Sequence, residues 1–197
     1  MSTRRVILVH GFNVADDGEK TVGQLQPFFE DEGCKVKRFP YGWRGLLGVR
    51  FGNPGLAKIL AAMADEGDIA VGHSNGCAII HEASRLGAQF AGIVYINPAL
   101  DDDSALPAHI PVLHVWHSPS DSPVKWARWL PWHSWGDMGA DGYKGTPDPR
   151  ITCFDKENGF PVSSREHSDV FREPCLSYFG PLIAGRILEA VAEPVSP

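Results

Sequence analysis

The chain has 197 residues and a mass of 21.5 kDa, the size of one domain, and 43% of it is hydrophobic against 21% charged. That composition excludes global disorder and supports a sizeable core. Eighteen Lys and Arg against 24 Asp and Glu leave a formal charge of −6, so the basic face that nucleic acid or an anionic membrane requires is not expected; Arg38, Arg44 and Arg50 read as scattered, solvated side chains. No run approaches the roughly 20 apolar residues of a membrane span. The opening Val6-Ile7-Leu8-Val9 is cut off by His10-Gly11 before it could form a signal peptide. Cys34, Cys77, Cys153 and Cys175 form no CxxC pair and read as four buried thiols in a reducing, cytoplasmic setting. His114 and His117 fall on opposite faces of a strand and no HExxH occurs, so neither a metal nor another cofactor is expected.

In chain order, residues 4–10 form an apolar run without alternation, the pattern of a strand buried on both faces. A helix is expected over 19–32, stopped by Gly33, then a strand over 34–41. A Gly-rich loop at 42–52 leads to a helix over 54–66, with Pro54 in its first turn. Residues 68–72 form a short apolar strand and 75–86 a helix closed by Gly87. Strands follow over 90–96, 110–116 and 151–154, rich in β-branched and aromatic residues. The helix over 175–192 repeats Leu182, Ile183, Ile187, Leu188 and Val191 at helical spacing. Six strands alternating with helices predict a single α/β domain, a mainly parallel sheet covered on both faces. The stretch 125–150 breaks the rhythm, and a loop of that length in a compact domain is more often functional than idle.

Gly72-His73-Ser74-Asn75-Gly76 is a G-x-S-x-G pentapeptide lying directly after a buried strand and directly before a helix. A glycine-rich turn with an incidental serine would share the letters; the strand–helix context separates the two. A serine at so tight a turn takes strained backbone angles, and flanking glycines remove side chains that would collide across it. Its Oγ then stands at the carboxyl end of the sheet beside a helix N-terminus.

With this elbow in place, the sequence resembles the α/β-hydrolase family over nearly its whole length. His10-Gly11-Phe12 is similar to the family's His-Gly-x motif, which implies an oxyanion hole made by the backbone N–H groups of Phe12 and Asn75. The glycine-richer HGGG form of some lipases and esterases is absent, since Phe12-Asn13 follows Gly11. The family's chain order, nucleophile then acid then histidine, implies a base downstream of Ser74. His167, in a loop before the last helix, holds that place; His109, His114 and His117 come too early, and His133 sits among tryptophans. For the acid, the turn 117–124 resembles the family's G-x-x-D-x-x-V, with Asp121 as the carboxylate, although His117 and Ser118 stand where glycine is usual. The run Asp101-Asp102-Asp103 is the rival, because some relatives draw their acid from there; Glu166 would diverge from its neighbour His167.

The resemblance therefore implies a cofactor-free serine hydrolase with a Ser74–His167–Asp121 triad, acting through an acyl-enzyme on a small-molecule ester, thioester or amide, most simply as a carboxylesterase. Only residues 98–109 join the two strands between which many relatives carry a cap domain, so no cap is expected. Five of the six tryptophans fall between Trp116 and Trp135, marking an acyl or aryl pocket or a docking surface; Asn13, Trp126 and Trp129 are the substrate-contact candidates. The alternative is a non-catalytic module of the same fold that uses the Trp-rich loop for a protein or glycan partner.

Overall fold

A computed structural model describes residues 4–43, 46–121 and 136–192; Trp126 and Trp129 lie outside the described residues. Six strands, β1 (Arg5–Val9), β2 (Lys35–Arg38), β3 (Asp68–His73), β4 (Phe90–Ile96), β5 (Leu113–His117) and β6 (Ile151–Asp155), form one sheet. Their order is β2-β1-β3-β4-β5-β6 and every pairing is parallel. The absence of alternation in β1 and β4 follows from this. Ile7 and Val9 of β1, with Ile93 and Tyr95 of β4, face one half of the core, while Val6, Leu8, Val94 and Ile96 face the other.

The first half is closed by α2 (Leu46–Met63) through Leu56, Ala57 and Leu60, and by α3 (Asn75–Arg85) through Ile79, Ile80 and Ala83. The second is closed by α1 (Gln26–Asp31) through Phe29 and by α5 (Cys175–Ala192) through Phe179, Ile183, Ala184 and Ile187. By length and composition α5 would suffice to cross a membrane. Cys175, Phe179, Gly180, Ile183, Ala184 and Ile187 nonetheless line its buried face, which packs on the sheet, as the helical spacing predicts.

The structure corrects several boundaries. Residues 19–32 hold a 3-10 turn, Val22–Leu25, and then the short α1, with a proline in its first turn. The turn is retained because it still buries Val22, Leu25 and Phe29. The 42–52 stretch is mostly helix: α2 starts at Leu46 and carries Pro54 in its interior. Proline removes one backbone hydrogen bond there, and burial of Leu56, Ala57 and Leu60 immediately beyond it keeps the helix going. The fifth strand starts at Leu113 rather than 110, since Pro111 cannot donate to a ladder. A further short helix, α4 (Met138–Asp141), interrupts the irregular 125–150 stretch. Cys34, Cys77 and Cys175 are buried as expected, whereas Cys153 is exposed because β6 is an edge strand.

The chain builds β1 and β2, then returns to place β3 on the other side of β1. This reversal opens a crevice at the carboxyl ends of β1 and β3, where open α/β sheets put their sites. Gly11 and Ser74 both follow those ends.

Candidate active site

Ser74 occupies the single residue between β3 and α3, with φ 55° and ψ −122°. This is a costly conformation for a residue with a side chain, and it persists only where its surroundings hold it. The flanking glycines have measurable reasons. A Cβ on Gly76 would lie 2.2 Å from the Val9 carbonyl oxygen and 2.5 Å from that of His10; one on Gly72 would lie 2.9 Å from the Cys77 nitrogen. The first turn of α3 thus rests directly on the end of β1. A Cβ on Gly11 would meet Ser74 Cβ at 2.9 Å, so the loop leaving β1 passes closely over the serine. Ser74 donates its backbone N–H to Ile96 O (3.0 Å) and accepts from Cys77 and Ala99, which ties the elbow to β4 as well.

His10 and Tyr41 hold that loop. The His10 ring stacks on Tyr41 at 3.8 Å and donates Nδ1–H to Gly11 O (2.9 Å). The Tyr41 hydroxyl lies 2.6 Å from His10 O and 3.0 Å from Gly11 O. Burial holds the His10 pKa below that of an ordinary histidine, against the smaller opposite pull of the Gly11 hydrogen bond and of Asp16 and Asp17. Asn75 is gripped by α2, exchanging carboxamide hydrogen bonds with Asn53 at 2.8 and 3.2 Å. Asn13, at φ 57°, accepts from the indole N–H of the exposed Trp43 (2.6 Å).

Asp121 and His167, 46 residues apart in sequence, are brought together: His167 Nδ1 lies 3.0 and 2.9 Å from the two carboxylate oxygens. An ionised carboxylate only accepts, so the ring carries its proton on Nδ1 and presents the Nε2 lone pair. Asp121 is fully buried and His167 partly exposed. The turn holding Asp121 closes through Asp121 N to Ser118 O (2.9 Å), and the Ser118 hydroxyl donates to Arg165 O (2.9 Å), joining it to the histidine loop. Asp169 closes that loop by accepting from the backbone of Glu166 (2.9 Å) and Arg165 (3.3 Å).

His73, beside Ser74, donates Nε2–H to the carbonyl of His167 (3.1 Å), and its ring lies 4.8 Å from that of His167 and 4.8 Å from Phe171. This contact carries the histidine loop onto the elbow. Burial, reinforced by His167 and Lys156 and opposed by the hydrogen bond to His167 O, holds His73 well below the ordinary histidine pKa, so it stays neutral. Of the rival acids, Asp102 faces Lys144 at 3.8 Å and Asp101 packs under Gly136.

Three polar residues behind Asp121 escaped the sequence reading. Asn97 Nδ2 donates to Asp121 Oδ2 (2.6 Å), and Lys156 Nζ donates to Asn97 Oδ1 (2.5 Å) and lies 3.5 Å from Ser164 Oγ. Asn97, Lys156 and Ser164 are all fully buried. Asn97 and Lys156 each directly follow a strand, the only signal in the sequence. Among the described residues no group of three or more His, Cys, Asp or Glu side chains could hold a metal ion.

No family model and no curated protein sequence matches the chain. Solved structures do. The mouse α/β hydrolase domain-containing protein 10 is 16% identical, with a TM-score of 0.58 over 94% of this chain and 90% of its own. The monoacylglycerol lipase of Paleococcus ferrophilus is 13% identical, with a TM-score of 0.60 over 94% of each chain. An esterase domain from a Rhodothermus marinus protein is 14% identical, with a TM-score of 0.58 over 96% and 87%. With the parallel six-stranded sheet, these likenesses establish an α/β-hydrolase fold spanning the chain.

Proposed function

We propose that this α/β-hydrolase fold works as a serine hydrolase, with Ser74 as nucleophile, His167 as general base and Asp121 as the acid that orients it. The observation that carries the reading is the strained Ser74 elbow at the sheet's switch point, with the histidine that pairs with the buried Asp121 docked onto it through His73.

A serine hydroxyl attacks poorly until a base removes its proton. In the proposed cycle Ser74 Oγ adds to a substrate carbonyl while its proton passes to His167 Nε2. Asp121 steadies the resulting imidazolium through Nδ1–H. The oxyanion is received by the backbone N–H groups of Phe12 and Asn75, a reading supported by the close approach of Gly11 to the Ser74 Cβ and of Gly76 to the end of β1. Each such donor is worth about 3 kcal/mol to the transition state. The tetrahedral intermediate collapses, His167 gives its proton to the leaving oxygen, and the alcohol departs. Water then attacks the acyl-serine with His167 again as base, releasing the carboxylic acid and restoring Ser74.

An ester is the substrate class we favour, consistent with the lipase and esterase names among the similar folds; a thioester or amide would pass through the same steps. Asn13 and the Trp43 it holds flank the loop over Ser74 and would meet the substrate's acyl or alkoxy side. With p-nitrophenyl esters of graded chain length, the wild-type protein is expected to release p-nitrophenolate. Ser74→Ala is expected to fall to the uncatalysed rate while remaining folded. Equal hydrolysis by Ser74→Ala would refute the assignment.

A further inference from the structure

Behind Asp121 lies a row of buried polar groups that the acyl-transfer cycle does not itself use. It runs from the Lys156 ammonium to the Asn97 carboxamide (2.5 Å) and from that carboxamide to the Asp121 carboxylate (2.6 Å). Three elements supply it: Asn97 follows β4, Asp121 lies in the turn beyond β5, and Lys156 is the first residue past β6. Lys156 is fixed by its own backbone, donating N–H to His117 O (2.9 Å) and accepting from Ser164 N (2.9 Å). Asn97 takes φ 45°, a conformation asparagine tolerates better than most residues.

The chemistry of the ends fixes the middle. An ammonium only donates and a carboxylate only accepts, so the Asn97 amide has one productive orientation, oxygen to Lys156 and nitrogen to Asp121. A fully buried lysine is rare and expensive unless its charge is answered. Here the answering charge is the carboxylate that holds His167, one amide away.

We infer that Lys156 and Asn97 are positioning residues of the hydrolytic site: Lys156, acting through Asn97, keeps the Asp121 carboxylate aimed at His167 and balances its charge. This rests on the reading of Ser74, His167 and Asp121 as a triad. Asp121 cannot rotate away from Nδ1 without breaking its bond to Asn97, so the imidazole keeps the tautomer that accepts the serine proton. The Lys156 charge also lies one amide from the Asp121 carboxylate, so losing it leaves that buried anion without its cation.

Several titratable groups act electrostatically on Lys156. Asp121, Asp155, Asp169 and Cys175 favour its charge, and its own charge acts on the imidazoles of His73 and His117. Burial outweighs these groups and brings the lysine pKa down to about 8, so the ammonium is mostly charged at neutral pH.

The experiment measures the rate of labelling by a fluorophosphonate, which needs no knowledge of the natural substrate, as a function of pH. Wild-type labelling at Ser74 is the control for the triad reading, and its absence would remove that reading first. Lys156→Met, which keeps length and loses the charge and donors, is expected to label about tenfold or more slowly at pH 7, the scale of a misaimed catalytic group. The wild-type profile is expected to carry an alkaline limb near pH 8, where Lys156 loses its proton, and Lys156→Met is expected to lack it. Asn97→Gly, which suits the φ of 45° and deletes only the carboxamide, is expected to slow labelling similarly. A folded Lys156→Met or Asn97→Gly protein that labels at the wild-type rate would overturn the inference. So would slower labelling of Lys156→Met with the alkaline limb near pH 8 unchanged, since that is the mark of a purely structural lysine.

Discussion

At Ser74, local strain and chemistry coincide. Its backbone angles are ones an ordinary side chain avoids, and Gly11, Gly72 and Gly76 pack so closely around it that a Cβ on any of them would overlap its neighbours. The partner residues are defined by hydrogen bonding. Asp121 receives His167 on both oxygens and Asn97 on one, which leaves the carboxylate little freedom. Replacing it by Asn would turn one oxygen into a donor facing Nδ1 and drive the imidazole into the wrong tautomer. Asp121→Asn is therefore expected to lower kcat by about four orders of magnitude with the fold intact; steady-state hydrolysis of a p-nitrophenyl ester checks it, and near-wild-type turnover would exclude Asp121 as the acid.

The sequence marked these residues unequally. The elbow was readable because its glycines and its strand–helix context are local, and His167 and Asp121 came from the family's chain order. Asn97 and Lys156 carried no comparable mark: a lysine after a strand reads as solvated, and only the register His117↔Asp155 brings it beneath the site.

Among the elements, β1, β3 and α3 meet in a close join. Gly76 sits where the first turn of α3 touches the last two carbonyls of the β1 end, and a methyl group there would overlap backbone rather than a movable side chain. Gly76→Ala is expected to destabilise the protein by about 3 kcal/mol, since the helix must lift from the sheet. Urea unfolding measures this, and an unchanged midpoint would show that the contact yields without cost. The same reasoning explains which elements the sequence predicted. Strands buried on both faces and α5, with its apolar repeat, follow from composition and period alone. Helix α2 was expected only from 54, because Pro54 and nearby glycines suggested a loop and a late start; its continuity comes from Leu56, Ala57 and Leu60 buried in the core, a tertiary effect.

Over the whole molecule, topology does what no single motif can. Placing β3 beside β1 after β2 brings His10-Gly11-Phe12 against Ser74, 62 residues beyond Phe12 in sequence, and the β4-β5-β6 side delivers Asn97, Asp121 and Lys156 to the same end of the sheet. The parallel α/β class was legible from alternating strands and helices. The depth of the polar row behind Asp121 was not, because it depends on three strand ends meeting. Sixteen residues, 97–112, join β4 to β5.

The most direct test is the mass of the folded protein after reaction with a fluorophosphonate, followed by fragmentation of the modified peptide. One phosphonyl group on Ser74 is predicted, lost in Ser74→Ala and strongly slowed in His167→Ala. An unmodified Ser74 in protein shown to be folded, or an adduct carried by another residue, would contradict the account.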